Sequence, residues 1–205
     1  MVQEKDYLLR ELNHRVKNNL LMVRSLISLK DSSMGNAVDL SDIRNQVDAI
    51  EKIHEALQAS DHITHINLKS YVTDILSSLF RMFTAKQVSV ENHVPEIAVR
   101  TKVAVLLGLI INETATNAVK HGFTQDDEQR FTVSLEETSE RDQYVLTIAN
   151  TGEPFPGDID IENPETLGLR LISALVSQLR GTLDVQRQPH PVFTVRFPAE
   201  QLKAE

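Results

Sequence analysis

The amino-acid sequence predicts an α+β protein in two parts: an antiparallel helical hairpin, followed by an α/β sandwich. Three observations predict it. Apolar residues recur every three or four positions from Leu8 to Ile27 and, after a polar break, at spacings close to a heptad from Leu40 to Leu57, each a stripe along one helix. Apolar and polar residues then alternate at Phe131, Val133 and Leu135 and again at Tyr144, Leu146 and Ile148, the period of half-buried strands. Between these regions the polar run Ser60 to His65 reads as a linker, which places the domains at residues 1–65 and 66–205.

Composition narrows the class. A hydrophobic content of 41% over 205 residues is enough for packed cores and too high for a disordered chain. The longest apolar run, Val103 to Ile111, is broken by Gly108 and falls short of the ~20 apolar residues of a membrane span, so none is expected. The opening residues Gln3, Glu4, Lys5 and Asp6 do not read as a secretory leader, and a cytoplasmic protein is expected. The absence of cysteine excludes disulfides, thiolate metal sites and cysteine nucleophiles. A net charge of -8 with scattered basic residues argues against a nucleic-acid partner.

In chain order, Leu8, Leu12, Val16, Leu20, Val23 and Ile27 define the first helix, and the polar break at Asp31, Ser32, Ser33, Gly35 and Asn36 turns the chain. Leu40, Ile43, Val47, Ile50 and Leu57 define the second. Two helices alone leave half of each stripe in water, so a homodimer forming a four-helix bundle is expected. After the linker come a helix over Leu68–Phe83, short strands at Gln87–Val90 and Ile97–Val99, and a helix over Thr101–His121. The two alternating segments form paired strands with their turn over Glu136–Asp142. A helix over Leu167–Gln178 and strands at Thr182–Gln186 and Val192–Phe197 complete the chain. Strands adjacent in sequence imply an antiparallel or mixed sheet with its helices on one face.

Two clusters can carry chemistry. His14 lies about 200° around the first helix from the buried Leu12, at ~100° per residue, and so faces solvent. Arg10, Glu11, Lys17 and Asn18 stand one turn away on the same face. A neutral imidazole nitrogen can attack phosphorus while Glu11 holds the other ring N–H and the cations balance the incoming charge. By itself the cluster is equally an ordinary solvated helix face. In the helix beginning at Thr101, the residues Glu113, Asn117, Lys120 and His121 project from one face of an otherwise apolar run. A carboxylate and a carboxamide one turn apart can hold Mg²⁺ and polarise a nucleophile, and a lysine further along can meet phosphate.

The string Glu11-Leu12-Asn13-His14-Arg15-Val16-Lys17-Asn18-Asn19-Leu20 resembles the phosphoacceptor helix of the sensor histidine kinases whose histidine is followed by Arg-Val-Lys-Asn-Asn. The segment Ile53-His54-Glu55-Ala56-Leu57 is similar to the second helix of that dimerisation and phosphotransfer unit. His54 is a rival acceptor, but its place on the apolar seam favours a packing role. Asn112 to Phe123 resembles the N box of the Bergerat-fold ATPases, shared by histidine kinases, type II topoisomerases and a chaperone family. Asn150-Thr151-Gly152-Glu153 resembles their adenine-reading loop, with Asn150 where the family usually has Asp. Thr166-Leu167-Gly168-Leu169-Arg170-Leu171 is similar to their second glycine box, with one glycine where many relatives have two.

The resemblance implies a two-component histidine kinase core that binds ATP and Mg²⁺. Asn117 would ligate Mg²⁺ and Glu113 would act as base or orienting carboxylate. Lys120 would contact phosphate, with His121 near the nucleotide. Asn150 and Gly152 would meet adenine, while Thr166, Gly168 and Leu169 would face phosphate at a helix N-terminus. His14 would receive the γ-phosphoryl group and pass it to the aspartate of a response-regulator receiver domain. Asn18 is the candidate for phosphatase function. An upstream sensor domain, missing from the chain or acting in trans, would supply the stimulus. Asn150, the single glycine and the short lid between Gly152 and Gly168 motivate one alternative, a phosphotransfer relay that no longer binds ATP. A serine kinase of the anti-sigma type would leave the His14 helix without a purpose.

Overall fold

The computed structural model describes residues 65–83, 88–123, 128–138 and 142–202. All belong to the second of the chain's two units, Leu57–Glu205. The expected helical hairpin, with Glu11, His14, Asn18 and His54, lies outside the described residues.

The described unit runs β1 (His65–Asn67), α1 (Leu68–Phe83), β2 (Ser89–His93), β3 (Ala98–Arg100), α2 (Thr101–Asn117), β4 (Arg130–Thr138), β5 (Gln143–Asn150), α3 (Leu167–Gln178), β6 (Thr182–Gln186) and β7 (Val192–Pro198). A π-helical turn, Ala118–Gly122, extends α2. Five strands form one sheet in the order β2-β4-β5-β7-β6, parallel only between β2 and β4, so the sheet is mixed as expected. β1 and β3 pair separately as a small antiparallel ribbon ahead of α2.

One face of the sheet is apolar because the strand period is two. Phe131, Val133 and Leu135 are buried on β4, Leu146 and Ile148 on β5, and Phe193, Val195 and Phe197 on β7. The helices cover this face: Phe80 of α1 meets Phe131 with ring centroids 5.3 Å apart, and α2 packs against both α1 and α3. α2 is apolar on nearly every side because it is the middle helix of that layer, with Leu107, Ile110 and Ile111 wholly buried. Thr101–Gly122 is long and apolar enough to cross a membrane by length and composition, but two-thirds (67%) of its most apolar stretch is buried inside the fold. The chain's apolar run is therefore core.

Several boundaries differ from the sequence expectation, among them that of β3, which is Ala98–Arg100 instead of Ile97–Val99. β4 and β5 run on to Thr138 and from Gln143, which shortens the expected Glu136–Asp142 turn. Glu136 and Glu137 read as turn residues because they are charged, yet they pair with Val145 and Tyr144 across the ladder, and the Tyr144 hydroxyl donates to Glu137 at 3.3 Å. β2 occupies Ser89–His93 instead of Gln87–Val90, where its backbone matches Arg130–Ser134 of β4. The Thr101–His121 helix changes to π geometry after Asn117, closed by the Phe123 N–H donating to the Ala118 carbonyl at 2.9 Å.

α1 and α2 approach closely at Gly108, where a Cβ would stand 2.8 Å from Ile75 Cδ1 and from the Tyr71 ring and hydroxyl. The Tyr71 hydroxyl is buried with no hydrogen-bond partner among the described residues, and burial pushes its pKa above the usual phenol range. An unsatisfied buried hydroxyl costs about 1–3 kcal/mol. Tyr71→Phe is expected to hold or raise stability in urea unfolding, by up to about 1 kcal/mol. A loss of more than about 1 kcal/mol would show instead that the hydroxyl is satisfied.

Candidate functional site

The polar face read from the sequence is present at the C-terminal end of α2. Glu113 is 7% exposed and Asn117, one turn on, is half-buried, so both are held by the core. The start of α3 faces them. A Cβ at Gly168 would lie 3.0 Å from Glu113 Oε2 and 3.8 and 3.9 Å from the Asn117 amide atoms. Because Gly168 has none, the backbone of the first turn of α3 stands open beside a carboxylate and a carboxamide. The first N–H groups of a helix have no intrahelical acceptor, and Thr166, in extended conformation at the N-cap, makes no side-chain cap to them. Such a helix end offers donors and a positive dipole to an anion. Leu169 is 4% exposed, so its side chain belongs to the core and only its backbone can serve a ligand. Lys120 and His121 sit exposed on the π turn beyond Asn117.

A second wall is built where β5 ends. Asn150 is 5% exposed and donates from Nδ2 to the Thr151 carbonyl at 2.9 Å. Gly152 has φ of +115°, a conformation that side chains rarely adopt, and a Cβ there would stand 2.1 Å from the Gly122 carbonyl oxygen. That same carbonyl accepts the Glu153 N–H at 2.8 Å. Gly122 in turn leaves room for Asn150, whose Nδ2 would be 2.9 Å from its Cβ. The π turn thus joins the two walls: Glu113 and Asn117 lead directly into the residue that seats Asn150 and Gly152. Sequence reasoning missed Gly122, although a glycine after the last apolar residue of a helix is a standard stop signal. It also missed Thr151, whose hydroxyl accepts the Arg130 N–H at 2.9 Å and donates to the Glu128 carbonyl at 2.8 Å.

The residues fit a nucleotide with its cation. The close approach at Gly168 brings a carboxylate, a carboxamide and the first backbone N–H groups of α3 together. Among the described residues no cluster of three or more His, Asp or Glu side chains could cage an ion alone. Mg²⁺ commonly takes one or two protein ligands and completes its shell with phosphate oxygens and water, which is the supply Asn117 offers.

Gly152→Ala combines left-handed strain with a backbone collision, and is expected to lower stability by about 2 kcal/mol or more in thermal unfolding. An unchanged melting midpoint would mean that the Gly122–Gly152 contact is not as described.

A histidine kinase family model matches residues 11–83, and a model of histidine kinase-, DNA gyrase B- and HSP90-like ATPases matches residues 102–201. Blue-light-activated histidine kinase 2 of Erythrobacter litoralis is 30% identical over 98% of this chain and 59% of its own length. Sensor histidine kinase PdtaS of Mycobacterium tuberculosis is 29% identical over 89% of this chain and 37% of its own length. The chain therefore spans less than two thirds of these relatives. Among solved structures, the Erythrobacter litoralis EL346 blue-light activated histidine kinase superposes with a TM-score of 0.70 at 26% identity, covering 94% of this chain and 59% of that one. Its histidine kinase domain alone gives a TM-score of 0.73 at 24% identity over 97% and 94% of the two chains. The chain belongs to the histidine kinases, as a two-component kinase core whose second part is an ATPase domain of the Bergerat fold.

Proposed function

We propose that this chain is an ATP-dependent protein histidine kinase core that phosphorylates its own His14 and passes the phosphoryl group to a response-regulator aspartate. The observation that supports the reading is the close approach of α3 to α2: a Cβ on Gly168 would stand 3.0 Å from Glu113 Oε2 and beside the Asn117 amide, so two motifs far apart in sequence meet. In this reading residues 66–205 bind ATP, and residues 1–65 form the dimerisation and phosphotransfer hairpin. The stimulus comes from a sensor domain outside this sequence, and the kinase works in the cytoplasm as a homodimer.

Asn150 accepts the adenine amino group through its amide oxygen, since its Nδ2 is committed to the Thr151 carbonyl. Gly152 lets the backbone approach the base. Asn117 is the protein ligand of Mg²⁺, which when bound neutralises charge on the β- and γ-phosphates. The N-terminus of α3, through the backbone of Thr166, Gly168 and Leu169, and the Lys120 ammonium hold phosphate oxygens. Glu11 fixes the His14 tautomer by accepting one ring N–H, so that the other nitrogen attacks the γ-phosphorus. An N–P bond forms as the bond to the β–γ bridging oxygen breaks, and ADP leaves. The one ring proton, on the nitrogen bonded to Glu11, passes to that carboxylate as the imidazole gains positive charge, and Glu113 is the orienting carboxylate. A phosphoramidate is well suited to onward transfer to a receiver carboxylate, and Asn18, four residues from His14 in the sequence, is the candidate for phosphatase function.

Incubation with Mg-ATP is expected to raise the intact mass by one phosphoryl group per chain, and His14→Gln to abolish the gain. Label retained by that variant would refute the acceptor. Asn150→Asp is expected to hold or strengthen ATP affinity in isothermal titration, because a carboxylate oxygen accepts at least as well as an amide oxygen. A loss of more than about tenfold would mean that the adenine contact is misplaced.

A further inference from the structure

Residues 153–166, which join the Asn150 wall to α3, contain no helix or strand. They are nevertheless fastened at several points by the turn between β6 and β7, residues 187–191, to which the kinase reading gives no role. Arg187 donates from Nη1 to the Pro156 carbonyl and from Nη2 to the Ile159 carbonyl at 2.6 Å. Its own carbonyl accepts the Phe155 N–H at 2.9 Å. Its guanidinium stands 5.6 Å from the centre of the Phe155 ring, which meets Phe193 edge-on. His190 donates from Nδ1 to the Gly152 carbonyl at 2.8 Å.

The His190 contact matters because of what lies on the other side of the same peptide. The Gly152–Glu153 peptide gives its N–H to Gly122 at the end of α2 and receives the His190 ring N–H on its oxygen. It is pinned from both sides. Further along, Asp160 closes a turn by accepting the N–H groups of Asn163 at 3.0 Å and Glu162 at 2.8 Å. Those two N–H groups first, and the Arg187 charge last, hold its carboxyl below the usual carboxylate range. A segment fastened before the ligand arrives has less conformational entropy to lose on binding. Only a planar fork can reach two carbonyls while stacking on a ring, which is why this position suits arginine better than lysine.

We propose that Arg187 and His190 are positioning residues of the nucleotide site, a strap from the β6–β7 turn that keeps the Gly152 loop and the lid after it preformed. The proposal rests on the kinase reading for the ligand's identity and on the geometry for the strap. The test uses the whole chain, with Arg187→Gln, His190→Ala and His190→Gln. Hydrogen exchange of amides 153–160 is followed without ligand, and Mg-ADP affinity is followed by isothermal titration. Arg187→Gln and His190→Ala are expected to speed exchange at Phe155 and to weaken Mg-ADP by about tenfold or more, without moving the melting midpoint. His190→Gln, which keeps an N–H donor, is expected to stay within about threefold of the parent. Unchanged exchange overturns the strap, and faster exchange with unchanged affinity overturns its positioning role. If the parent itself binds no Mg-ADP, the kinase reading fails while the exchange result still decides the strap. Should Arg187→Gln lower the melting midpoint, His190→Ala, at an exposed turn, decides alone.

Discussion

The constraint on which the rest depends is the burial of α2. A helix this apolar must be covered on almost every side, and α1 and α3 pack against it, with β1 and β3 near its start. Each fully buried Leu or Ile contributes about 2 kcal/mol. Leu107, Ile110 and Ile111 together therefore match the several kcal/mol that sequestering a carboxylate such as Glu113 costs. The core thus sets the position of Glu113 and Asn117 with little freedom, as a site on a rigid element requires.

Close approach, not loop flexibility, explains most of the glycines that matter. Gly108 lets α1 seat Tyr71 against α2, and Gly168 lets α3 begin beside Glu113. Gly122 and Gly152 fit against one another so tightly that a Cβ on the second would overlap the carbonyl of the first.

α1 belongs with the sheet: it contributes Phe80 to the sheet's apolar face, against Phe131. Arg100 adds a tie at the far end, donating to the Glu200 and Gln201 carbonyls, so that the start of α2 is joined to the last turn of the chain. These contacts join residues about a hundred positions apart in the sequence.

Local pattern was enough to locate α1 at Leu68–Phe83, α3 at Leu167–Gln178 and β6 at Thr182–Gln186, because an amphipathic period is written in neighbouring residues. It also drew attention to Glu113 and Asn117 on one face of an apolar helix, whereas Asn150, Gly152 and Gly168 were singled out by the resemblance to the Bergerat-fold ATPases. The hairpin and His14 stand on sequence alone, outside the described residues. Tertiary structure decided the rest. Glu136 and Glu137 are strand residues only because β5 pairs with them, and Leu169 is core only because α3 packs there. Arg187 and His190 carry no local signal, since their partners Pro156 and Gly152 lie some 30 residues or more away and a hydrogen bond between distant residues leaves no period in the sequence.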